Sequence, residues 1–109
     1  MSNITFLTPP LPLPINTVTA NTYTLVVTDQ RNGILCTNTA NISVTIANNA
    51  TVPMPLGATV PMRQANTGAI SISAGTGVTL LTPNGANTSG SAGDARVAEQ
   101  IVIDTWIIW

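Results

Sequence analysis

Charge is what this chain has least of. Only 6% of its 109 residues are charged, against about a quarter in ordinary soluble domains. The charged residues are Asp29, Arg31, Arg63, Asp94, Arg96, Glu99 and Asp104, and there is no lysine and no histidine. Without histidine, Ser-His-Asp and Cys-His constellations and histidine-based metal sites are excluded. Three scattered arginines and a net charge of −1 do not make the basic footprint that nucleic acid requires. The single cysteine, Cys36, cannot form an internal disulfide. Within "GILCTN", on an expected strand, it reads as a buried inert thiol, because no histidine is present to activate a nucleophile. No apolar run approaches the ~18 residues of a membrane span. The N-terminus lacks the basic start and apolar core of a secretory signal.

Threonine and asparagine fill the space that charge leaves, with 18 and 11 copies. Such a surface has little charge repulsion, so part of it is expected to be covered by other subunits. The length fits one domain opening on a methionine, as a native start would. A core of this size is modest, and oligomerisation would help it. The first 16 residues include four of the eight prolines, which remove backbone donors and hold the chain extended. Residues 1–16 are therefore expected to be an arm and residues 17–109 the domain. The arm carries Phe6, Leu7, Leu11, Leu13 and Ile15, too apolar for a solvated linker. It packs either on its own domain or on a neighbouring subunit or host surface.

From Thr22 onward apolar and small polar residues alternate at the period of a strand. "TYTLVVT" (22–28), "ILCT" and "NISVTIA" (41–47) read as strands, with a turn at Asn32-Gly33. Residues 58–65 read as an edge strand or bulge, because Pro61 cannot donate to a central ladder. Residues 69–73 and 77–82 are joined by the tight glycine turn "AGTG". Residues 84–94 are small, polar and glycine-rich, as a surface loop is. In 95–109 both faces are apolar. Ile101, Ile103, Thr105, Ile107 and Trp109 lie on one, and Val102, Asp104, Trp106 and Ile108 on the other. One face is expected in the core and the other against a second copy. No segment has a helical period, so the expected fold is all-β, a small antiparallel sandwich, roll or barrel of seven or eight short strands.

Few residues point to chemistry. Asp29, Asp94, Glu99 and Asp104 lie in turns or near strand ends, and none suggests the facing carboxyl pair of a glycosidase. "GTG" at 75–77 has no helix after it and reads as a turn rather than a phosphate loop. Asn3, Asn41, Asn49 and Asn87 begin N-x-S/T triplets at about the number chance allows. Arg63 is the one charge on an expected strand of the central block, where it either pairs across an interface or stays solvated.

"YTLVVTDQRNGIL", followed by residues 40–85, resembles a small β-rich module of tailed-bacteriophage structural proteins. The matching features are the alternating strand Ile42–Ile46, the proline loop Asn49–Gly57, Gln64, the glycine-turn hairpin Ile72–Leu80 and the "DTW" of Asp104–Trp106. They cover about residues 22 to 109 and are turn and core positions, so no catalytic residue carries over. The resemblance implies a place in the virion and an interaction role. Standing alone with an apolar arm, the module is similar in plan to small capsid decoration (cement) proteins, which bind the major capsid protein as trimers. The expectation is a non-enzymatic virion structural protein, a homotrimer binding the major capsid protein or another virion protein and stabilising contacts between capsomers. No cofactor, metal, nucleic acid or membrane is expected. The partner-binding residues would be Phe6, Leu7, Leu11, Leu13 and Ile15, and the subunit interface Arg63, Trp106, Ile108 and Trp109. The alternative is a receptor-binding or fibre domain of the phage tail or head. A carbohydrate-active enzyme is the third and weakest reading.

Overall fold

The computed structural model describes residues 15–83 and 95–109. Their alternating segments form nine strands: β1 (Asn16–Val18), β2 (Thr22–Thr24), β3 (Ile34–Cys36), β4 (Ile42–Ile46), β5 (Thr59–Gln64), β6 (Ile70–Ala74), β7 (Thr79–Leu81), β8 (Ala95–Val102) and β9 (Thr105–Ile108). A 3-10 turn, Val27–Asp29, follows β2, and no described residue is in an α-helix. The all-β expectation holds. Phe6, Leu7, Leu11, Leu13 and the expected loop 84–94 lie outside the described residues.

The strands form a six-stranded sheet in the order β1-β3-β5-β8-β9-β7 and a three-stranded sheet in the order β2-β4-β6. From β1 to β7 the chain alternates between the two. From β3 to β6 each strand therefore pairs with the one two places earlier, reached after a full turn in the same direction, and the pairing is parallel, whereas β7 pairs with β9 instead. This corrects the expected antiparallel arrangement. β1–β3, β3–β5, β2–β4, β4–β6 and β7–β9 are parallel, and only β8 runs against its neighbours, β5 and β9. Three turns of winding result, β1–β2, β3–β4 and β5–β6, with the β8–β9 hairpin added beside β5.

Three local expectations change with this topology. "AGTG" does not close a hairpin, because β6 and β7 belong to different sheets. β5 is central rather than an edge, with Pro61 inside it. Val97, opposite Pro61, exchanges both its backbone bonds with Trp109 on its far side, so the Pro61 nitrogen points away from β8. On the β3 side the ladder begins only at Ile34 and Met62, so the missing donor falls just past its end. Gly33 makes the close approach there. Its φ is +81, and a Cβ on it would collide with the Pro61 carbonyl oxygen. Finally, 95–109 is not one strand. The chain reverses at Ile103–Asp104, with Asp104 in the left-handed region at φ 63 and a register shift between Gln100 and Val102.

One core lies between the sheets. Val18, Ile34, Cys36, Val60, Met62, Ala98, Trp106 and Ile108 face it from the large sheet, and Ile42, Val44, Ile46, Ile70 and Ile72 from the small one. In β4 and β6 the first and third residues are buried and the second exposed, as a strand with one wet face requires.

The corners are held by amide side chains. Asn38 donates from Nδ2 to the Thr19 carbonyl at 3.1 Å and to Asn21 Oδ1 at 2.6 Å. One turn later Asn66 donates to the Thr37 carbonyl at 3.2 Å. At the opposite corner Asn48 donates to the Thr76 carbonyl. Gln64, fully buried, spans its own corner, donating to the Gly68 carbonyl and accepting from Asn66 N–H. Every described asparagine makes a side-chain hydrogen bond, so the abundant amides serve the backbone more than the surface. A corner this tight admits no side chain at Gly68, where a Cβ would meet the Ala40 carbonyl oxygen.

Asn38→Ala should lower stability by about 1.5–3 kcal/mol, since a net hydrogen bond is worth roughly 0.5–1.5 kcal/mol and three are lost, the third from the Ala40 N–H to Asn38 Oδ1. The exposed neighbour Thr39 makes no side-chain bond, so Thr39→Ala should stay within about 0.5 kcal/mol of the parent. Urea unfolding followed by tryptophan fluorescence checks both.

Candidate functional site

The outward positions of the large sheet follow from its register. In β5, Val60, Met62 and Gln64 are buried, so Thr59, Pro61 and Arg63 point out. Opposite them in β8 stand Glu99, Val97 and Ala95. Leu35 of β3 faces Arg63, Ile107 of β9 faces Glu99, and Leu81 of β7 faces Ile107. Trp109, paired with Val97 through its backbone, is 51% exposed. An apolar row of Leu35, Pro61, Val97, Ile107, Leu81 and Trp109 thus crosses the sheet, with Arg63 and Glu99 as its charges. At one end Ile15, Leu35, Pro61, Val97, Arg63 and Arg96 are among the residues lining a groove of about 160 Å³. Ile15 stands where residues 1–14 join the domain. A second apolar cluster, Leu56, Ile101, Val102 and Ile103, is exposed around the hairpin tip.

The expected interface residues separate here. Trp106 and Ile108 are 2% and 0% exposed in the core of their own chain, which corrects their assignment to a subunit interface. Their partners across the strand, Ile107 and Trp109, take the outer face. The reason lies in the hairpin register, because Trp106 stands opposite the buried Gln100 and Ile108 opposite the buried Ala98, and residues directly opposite share a face. Arg63 and Trp109 do lie on one outer face, and Ile15 borders it.

A buried network fixes the loop 48–57 to the hairpin that carries part of this face. Gln100, fully buried, donates to the Met54 carbonyl at 2.8 Å and accepts from the Asp104 N–H at 2.9 Å. Asp104 Oδ1 in turn accepts from Asn49 N–H at 2.6 Å, and Asn49 Oδ1 accepts from Met54 N–H at 2.9 Å. The sequence offered no sign of this use of Gln100. It did offer one for the parallel winding: residues 34–46 and 62–74 superpose without a gap at a spacing of 28, aligning Asn38 with Asn66, Thr39 with Thr67 and "ISVT" with "ISIS". Such self-similarity marks repeat architectures.

Among the described residues Asp29 is the one buried carboxylate. Its Oδ2 accepts from the Tyr23 hydroxyl at 2.6 Å and from Val26 N–H at 2.9 Å, while Asn16 Nδ2 donates to the Tyr23 oxygen at 2.6 Å. This closes the first turn of winding onto the 3-10 turn. Burial first, then the hydrogen bond to Asp29 and its charge, push the Tyr23 hydroxyl up to about 12. Cys36 is buried as expected, and burial pushes its thiol up to about 11, so little reactive thiolate forms near neutral pH.

Because the folded pKa of Tyr23 lies above its unfolded value near 10, its contribution to stability is complete below pH ~10. It is lost as pH rises toward 12. With one tyrosine in the chain, absorbance near 295 nm should show ionisation only well above pH 10 in the native protein. Tyr23→Phe should remove the accompanying fall in stability. Cys36 should resist a thiol reagent until the protein is denatured, and rapid native labelling would contradict its burial.

Comparison of the chain with protein-family models, with curated proteins and with solved structures finds no match.

Proposed function

We propose that the protein is a non-enzymatic structural component of a bacteriophage particle, a decoration protein that binds the major capsid protein as a homo-oligomer and reinforces contacts between capsomers. The observation that carries this reading is the outer face of the six-stranded sheet, where an apolar row from Leu35 to Trp109 runs across strands from both ends of the chain. A contiguous apolar patch on a protein surface marks an interaction site. The phage context comes from the resemblance of the strand and turn pattern to virion modules.

In this reading residues 1–14 are the anchor to the capsid. They carry Phe6, Leu7, Leu11 and Leu13, and Ile15 stands at the edge of the apolar groove. Each apolar side chain buried on the shell contributes about 1.5–3 kcal/mol, and linked arms in one oligomer add avidity. Prolines reduce the entropy lost when the segment is fixed.

The test is a truncation that stops at residue 14, since Asn16 already belongs to β1 and bonds Tyr23. The truncated protein should keep its fold by circular dichroism and lose binding to purified phage shells in co-sedimentation. Binding at full occupancy would refute the anchor. Normal shell binding with lost adsorption of phage to cells would favour the receptor-binding alternative.

A further inference from the structure

Arg63 and Glu99 occupy related places on the outer face. They sit on adjacent strands, and the Glu99 rung is shared with Thr59, four residues from Arg63 along β5. At ~3.3 Å per residue they are about 13 Å apart along the strand direction. The pair Pro61–Val97 lies midway and is apolar. Neither charge forms an ion pair among the described residues. The face is therefore positive at one end, negative at the other and apolar between.

We infer that two copies of the chain stack through these faces about a two-fold axis crossing the strands at the Pro61–Val97 pair. Rotation about that axis exchanges the two ends of each strand, so Arg63 of each copy meets Glu99 of the other. Both charges are satisfied twice by one operation, which is the property of an isologous contact. The strands of the stacked sheets run nearly antiparallel, within the aligned class of sheet packing. Leu35, Val97, Ile107 and Trp109 are covered in the same step, and the half-exposed Trp109 supplies the kind of aromatic anchor on which interfaces depend. The head-to-tail contacts of the threefold assembly implied by the phage resemblance would not pair Arg63 and Glu99 reciprocally. A face six strands wide and about five residues long spans roughly 25 by 17 Å, smaller than the ~800 Å² per partner of a standard stable interface. The dimer is accordingly reversible on dilution and weakened by salt.

This inference rests on reading the outer face as an assembly surface, and it is tested on the purified full chain without phage. Sedimentation equilibrium should show a monomer–dimer equilibrium. Arg63→Glu and Glu99→Arg each turn both pairs repulsive and should weaken self-association about tenfold or more. An equimolar mixture of the two variants should recover wild-type association, because in the mixed pair both contacts again join opposite charges. The double variant R63E/E99R should recover it too, which controls for a folding defect in either single change. A monomer at all concentrations, a trimer, or a dimer indifferent to the single changes would overturn the inference. A dimer that behaves as described but is absent from phage particles would refute only the virion assignment.

Discussion

A parallel winding leaves backbone groups at each corner that no strand ladder reaches, and the fold depends on asparagine side chains to satisfy them. Asn38 and Asn66 make the same bond one turn apart, each to the carbonyl of the residue after a strand in the preceding turn. Asn48 does the same work at the other corner. A short amide carries donor and acceptor on one rigid group, so it bridges neighbouring turns and caps its own in one step. Lysine or glutamate at these places would bring a charge that the stacked turn cannot satisfy. The composition follows from the winding.

The same economy shapes the surface. With the amides turned inward to the backbone and most strands contributing β-branched residues, the large sheet is left with an apolar outer face and two charges. The buried Gln100 network matters because it ties the loop 48–57 to the β8–β9 hairpin. The hairpin in turn presents Val97, Glu99, Ile107 and Trp109. Core and outer face are thereby coupled, since a change that loosens Asp104 would loosen the hairpin whose register turns Trp106 inward and Trp109 outward.

Much of the strand content was legible, because alternation of Ile42, Val44 and Ile46 admits one physical explanation. The buried state of Cys36 and the turn at Gly33 were legible for the same local reasons. Strand pairing was not. Alternation says which residues share a face and nothing about which strand lies alongside, so short strands joined by glycine turns suggested hairpins. The spacing of 28 between Asn38 and Asn66 held the missing information, but only as a relation between segments. The face at 95–109 was half legible: its two apolar sides were evident, and the choice between them was set by the hairpin register, which puts Trp106 opposite the buried Gln100. Pro61 misled because its tolerance depends on where the neighbouring β3 ladder begins.

The place of β7 in the large sheet has a consequence for the order of events when the chain is made. β5 and β7 are separated in that sheet by β8 and β9, which follow both of them in the chain. The three turns of winding can close on one another as they emerge, since each needs only what precedes it. β7 cannot, because its one neighbour in the sheet is β9. Until Thr105–Ile108 arrives, the far edge of β8 and the whole of β7 stay unpaired, and Trp106 and Ile108 are missing from the core. A chain cut short before β9 therefore exposes two bare strand edges of the kind that aggregate.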